Sequence, residues 1–125
     1  MGKAVHDEML DAALAEAAEA NLLTVCSAQP TTRTEAVTTY KLADVAMTPG
    51  NGNGDYTIGN GDTNGRKLTV AQQSSIAVDS SGTATHIALV DDTRLLLVTT
   101  CTSQVLTAGN TVTVPAFDDE IADPT

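Results

Sequence analysis

The sequence predicts an α+β, mostly β domain: one N-terminal helix followed by an antiparallel β-sandwich or rolled sheet. Three observations predict it. An uninterrupted Ala-rich amphipathic run opens the chain, short β-branched runs fill the remainder, and Gly, Asn, Asp and Pro clusters separate those runs. At 125 residues the chain has the size of one domain. A globule of that size buries roughly two-thirds of its extended-chain surface, enough for one core. The organisation expected is a helical segment, residues 1–21, packed on or extending from an antiparallel β domain, residues 22–125, with a Gly/Asn-rich loop at 49–65.

The helix is read over residues 3–20. At helical spacing Val5, Met9, Leu10, Ala13, Leu14 and Ala17 share one broad face, with Asp7, Glu8, Asp11 and Glu19 on the other. No Gly or Pro interrupts the run, and Asp7 and Glu8 suit the positive end of the helix dipole. The apolar face packs on the chain's own sheet or docks on a neighbouring subunit, which makes Val5, Met9, Leu10 and Leu14 candidate interaction residues.

After Asn21 the pattern turns to strands. Residues 22–28, with Leu22, Leu23, Thr24 and Val25, read as a strand that stops at Gln29-Pro30; residues 39–47 are a weaker strand, preceded by a turn of helix at 34–37. Residues 49–65 are dense in Asn-Gly and Gly-Asp around a short run at 56–58, which is hairpin or exposed-loop chemistry. Strands follow at 67–72, 75–79 and 83–90. Residues 94–101, with Leu95, Leu96, Leu97 and Val98, are the most apolar run and read as the central strand. Residues 104–106 and 111–117 close the series, separated by the turn at 107–110. The acidic tail from Asp118 through Asp119 and Glu120 reads as a solvated end or an interaction arm.

Composition narrows the function. Aromatic residues make up 2% of the chain, so the anchors of a deep small-molecule pocket are scarce. Lys and Arg number 6 against 16 Asp and Glu, a formal charge of −10. Direct nucleic-acid binding needs clustered cations, and only Arg66 and Lys67 are adjacent. The first residues carry Asp7, Glu8 and Asp11 where a signal peptide needs a positive and then an apolar run. No apolar run approaches the length of a membrane span. Neither a nucleic acid nor a membrane is therefore an expected partner. Cys26 and Cys101 could bridge, but two buried free thiols in neighbouring strands is the favoured reading.

Catalysis needs a nucleophile or base with an orienting partner. The histidines are His6 in the helix and His86 in a strand, and no elbow, phosphate-loop or metalloprotease motif occurs. Asp91-Asp92 and Asp118-Asp119 are sequence neighbours, which in a strand point to opposite faces. The Gly-Asn-Gly-Asp repeats at 52–55 and 59–62 invite a calcium reading. Tyr56 stands where a calcium loop needs its turn glycine, and the seven-residue spacing is not that of a β-helix repeat. No catalytic residue, cofactor or metal is expected.

Several segments carry a resemblance. The opening Met-Gly-Lys-Ala-Val-His-Asp-Glu-Met-Leu-Asp-Ala-Ala-Leu, the Leu-Thr-Val-Cys-Ser-Ala-Gln-Pro-Thr-Thr at 23–32 and the Tyr-Lys-Leu-Ala-Asp at 40–44 resemble a family of small structural proteins of tailed bacteriophages and prophages. So do residues 65–73, 81–90 and 106–115 and the ending at 120–125, so the resemblance covers nearly the whole sequence. Its segments carry no catalytic residues to transfer, and residues 49–54 look expanded relative to it. The resemblance implies a virion component assembled in the bacterial host cytoplasm. A multicopy capsid decoration or cement protein is the first expectation, and a neck, tail or fibre-associated subunit the second. The partners it implies are the major capsid protein, other virion subunits and further copies of this protein.

Overall fold

The computed structural model describes residues 6–122 and shows an α+β fold, mostly β, with one α-helix and antiparallel sheets. Helix α1 (Asp7–Ala17) starts at His6, whose extended backbone and Nδ1, accepting from the Glu8 N–H at 3.1 Å, form the N-cap. It ends without Gly or Pro. The Glu19 and Ala20 N–H groups donate to the Glu16 and Ala17 carbonyls, tightening the last turn, and the Asn21 N–H leaves for the Val90 carbonyl at 3.0 Å.

The buried line of α1 is Leu10 and Leu14. Met9, expected on that face, is 68% exposed. Successive helical residues lie about 100° apart, so Leu10 and Leu14 at i, i+4 set the line and Met9 stands a step off it. Ala13 is exposed as well. Val5 lies outside the described residues.

Strand β1 (Leu22–Cys26) is sandwiched between β2 (Lys41–Ala46) and β6 (Gly82–Val90), and β7 (Leu95–Leu106) lies on the far side of β6. A second sheet has β4 (Arg66–Val70) between β3 (Tyr56–Asn60) and β9 (Phe117–Ile121), and a third pairs β5 (Gln73–Ala77) with β8 (Thr111–Val114). Every pairing between these strands is antiparallel. One core joins all three sheets and the helix: Leu14, Leu23, Val25, Tyr56, Leu68, Val70, Leu89 and Val114 belong to it. The other face of the four-stranded sheet is covered too. There Cys26, Ala88 and Val90 pack with Ala36 of a π-helical turn, Glu35–Thr39. Covered on both faces, β1 is buried at four successive positions, which is why its sequence shows no alternation.

Two expectations about strands are corrected. The apolar run after Arg94 is an edge strand, β7; the central places belong to β1 and β6. Leu95 to Val98 are each only half-buried, so four consecutive aliphatics mark partial cover on both faces. The strand also continues through 101–103, where its register with β6 shifts, to Leu106. The second correction is the acidic tail. Phe117–Ile121 is strand β9, in register with β4 from Val70↔Phe117 to Arg66↔Ile121. Asp and Glu are poor strand formers. Here Lys67 offsets them, its Nζ 3.5 Å from Asp118.

Within residues 49–65, the run expected at 56–58 is β3, and its hairpin to β4 closes with the Gly61 N–H on the Gly65 carbonyl. Gly65 has φ +70, and a Cβ there would meet the Ile121 carbonyl, so the turn requires glycine. Residues 49–55 are tied down by their own side chains. The Asp55 carboxylate accepts from the Thr48 N–H and from Gln73 Nε2, and Asn51 Oδ1 accepts from the Ile58 N–H. Asp55→Ala is expected to lower stability by about 1 kcal/mol, equally with and without calcium. A calcium-dependent rise in Tm that Asp55→Ala and Asp62→Ala abolish would reverse that reading.

Candidate interaction surfaces

The predicted interaction residues fall in two places. Leu10 and Leu14 belong to the interior, and of the described helix candidates only Met9 reaches solvent. Asp118, Asp119 and Glu120 sit together on β9, an edge strand of its sheet. Asp118 and Glu120 point outward. Asp119 points inward with Phe117 and Ile121, which pack against the core.

Asp119 is half-buried, and burial raises its pKa above the ordinary 3.8. A raised carboxylate favours the folded state when protonated and opposes it when charged. The cost is therefore absent below the unfolded value and grows as pH rises through the folded one. Asp119→Asn is expected to raise Tm at neutral pH and to leave it unchanged below pH ~3.8, where Asp is protonated in both states. Equal Tm values at neutral pH would show that the carboxylate is fully solvated. An inward charge on an edge strand also obstructs edge-to-edge pairing, one device by which sheets avoid aggregation.

The surface charge has a plain organisation. Each Lys and Arg among the described residues is engaged within the protein. Arg33 Nε donates to the Asp91 carbonyl at 2.7 Å. Lys41 meets Asp44 at 2.9 Å and Asp79 at 3.5 Å, and Arg66 meets Asp11 at 2.7 Å. Lys67 meets Asp62 at 2.6 Å, and Arg94 meets Asp91 at 2.8 Å and Glu16 at 3.2 Å. Partly exposed pairs of this kind contribute little stability individually. Their effect is to occupy the cations and leave carboxylates as the charge presented outward.

The polar groups singled out from sequence have structural duties. Asp91 clamps the β6–β7 turn: its carboxylate accepts from the Thr93 and Arg94 N–H groups and from Arg94 Nε. The Thr93 bond foremost, and then Arg94, hold its pKa down to about 2. Asp92 instead accepts from Asn21 Nδ2 at 2.8 Å. His86 Nδ1 bonds the Thr85 hydroxyl at 2.8 Å. Cys26 and Cys101 are free, and their strands are not neighbours, since β6 separates them. Cys26 packs on the face under the π-helical turn, while Cys101 packs against the main core on the opposite face. Burial pushes the Cys26 thiol up, and it donates to the Ala36 carbonyl at 3.6 Å.

Sequence reasoning did not foresee a cavity of about 370 Å³ between β7 and the β8–β9 connection. Thr99, Cys101 and Gln104 line one side, and Val112, Val114 and Phe117 the other. It lies beside the stretch where the β7 register with β6 shifts, at 101–103, a feature no residue-type signal announces. No group of three or more His, Cys, Asp or Glu is placed to share an ion among the described residues. No helix among them is long and apolar enough to cross a membrane. No protein-family model, no curated protein and no solved structure matches the sequence.

Proposed function

We propose that this protein is a structural subunit of a tailed-phage virion, most simply a multicopy decoration or cement protein on the shell. The observation that carries the reading is the charge arrangement. With a formal charge of −10 and the described cations occupied internally, the protein offers a partner carboxylates held on rigid elements. Glu120 on β9 and Glu8 in the first turn of α1 are exposed and outside these ion pairs, while Asp118, Glu16 and Glu19 are exposed but shared with Lys67 and Arg94. A surface of that kind suits basic patches on the major capsid protein or another virion subunit. The sequence resemblance to small phage structural proteins points the same way. Each contact of a 12.8 kDa subunit is modest, so attachment relies on repetition over a symmetric lattice.

Charge complementarity of this kind is screened by salt. Purified protein added to shells lacking it should co-sediment at low ionic strength and be released progressively as salt rises. Asp118→Asn with Glu120→Gln should shift release to lower salt. Retention that ignores both salt and the double substitution would move the contact from β9 to an apolar surface. Failure to co-sediment under any condition would contradict the proposal.

A further inference from the structure

The charges are unevenly placed along the sequence, and folding collects the uncharged stretches on one part of the surface. Residues 69–78 and 95–117 contain no Asp, Glu, Lys, Arg or His. The first holds β5 and the second holds β8, and these two strands form the two-stranded sheet. The turn after β7 is bound to the same place, with the Val78 N–H on the Asn110 carbonyl and the Gly109 N–H on the Val78 carbonyl. The far ends of β6 and β7 add Gly82↔Leu106, Thr83↔Val105 and Ala84↔Gln104, all uncharged. The titratable groups at the border are Asp55, which accepts from Gln73 Nε2 at 3.1 Å, Asp79, which meets Lys41 at 3.5 Å, and His86, bonded to Thr85. Carboxylates gather instead on α1, the β6–β7 turn and β9.

We propose that this charge-free surface, sheet β5–β8 with the distal β6–β7 hairpin, is where a second copy of the protein docks. Two copies at −10 each repel wherever carboxylate faces carboxylate. A charge-free surface lets them approach at short range without that repulsion, and depletion of charge is what distinguishes the core of protein interfaces. It also carries Val105, 75% exposed and one of the two large apolar side chains left in solvent among the described residues. The mostly apolar cavity between β7 and β8 opens in the same tract. A basic partner has nothing to gain there, so self-association and the proposed shell contact use different surfaces.

The two contacts respond to salt in opposite directions. Added salt screens the repulsion between like-charged copies, so self-association through the charge-free surface strengthens as ionic strength rises. Sedimentation equilibrium of the purified 125-residue protein is the test, and no shell is involved, so its outcome is independent of the virion reading. The mass is expected to exceed 12.8 kDa, to rise with protein concentration and to rise further with salt. Val105→Glu should return it to that of one copy, and Asp118→Asn with Glu120→Gln should leave association intact. Thr113→Glu, at an exposed position of β8, serves if Val105→Glu proves misfolded by circular dichroism. A monomer mass at every concentration and salt would overturn the proposal. So would association that weakens with salt, or that folded Val105→Glu and Thr113→Glu both retain.

Discussion

Leu14→Ala is expected to destabilise the fold by about 2–5 kcal/mol, while Met9→Ala on the same helix should change stability little. Leu14 is 1% exposed and joins the core shared by the helix and the sheets, whereas Met9 is 68% exposed. Removing three buried carbons forfeits their transfer energy and leaves a cavity that a sheet-lined core closes only in part. For a domain of this length each kcal/mol corresponds to roughly 3–5 °C, so the Leu14→Ala melting curve should move by on the order of 10 °C. Thermal or urea unfolding followed by circular dichroism decides it. An unchanged Leu14→Ala midpoint would mean that α1 is not integral to the domain.

Tyr56→Ala should cost about 3–5 kcal/mol, and Tyr56→Phe about 1–3 kcal/mol. Tyr56 is fully buried at the start of β3, and its hydroxyl donates to the Ala20 carbonyl at 2.9 Å, just beyond the end of α1. Ala20 is buried in the connection between α1 and β1, where a carbonyl without a partner is costly, and the phenol supplies one and ties that connection to β3. Burial pushes its pKa up, which keeps it protonated and donating. The Phe variant keeps the ring and removes only the donor, so the difference between the variants separates packing from the hydrogen bond. A Phe variant as stable as the native protein would show that water reaches the Ala20 carbonyl.

Much of this fold is legible in the sequence because its signals are local. The Ala-rich run with acidic residues at its start marks the helix, and alternation such as Thr111-Val112-Thr113-Val114 marks strands with one wet face. Three features are not legible. Met9 reads as interior because a broad apolar face does not reveal which of its edges the sheet covers. Strand β7 reads as central because four aliphatics in a row look the same whether buried on both faces or half-covered on both. Strand β9 reads as a tail because Asp-Asp-Glu carries no strand propensity, and the β4 register and Lys67 that hold it come from far away in sequence.

The candidate surfaces divide in the same way. Acidity is a compositional fact, visible before folding. That the cations are occupied depends on pairs such as Arg66 with Asp11 and Arg94 with Glu16, distant in sequence. The charge-free surface depends on β5 finding β8, a pairing that neither segment announces on its own.

Copy number in purified particles, with full heads separated from tails, decides whether the protein is a multicopy shell component. Quantitative mass spectrometry of the two fractions, scaled to the major capsid protein, gives the number without any assumption about the docking surface. A decoration protein is expected in the head fraction, in fixed proportion to the capsid subunit and far above the count of a single ring. Finding it only with tails, or at one ring's copy number, would contradict the decoration reading and make it a neck or tail subunit.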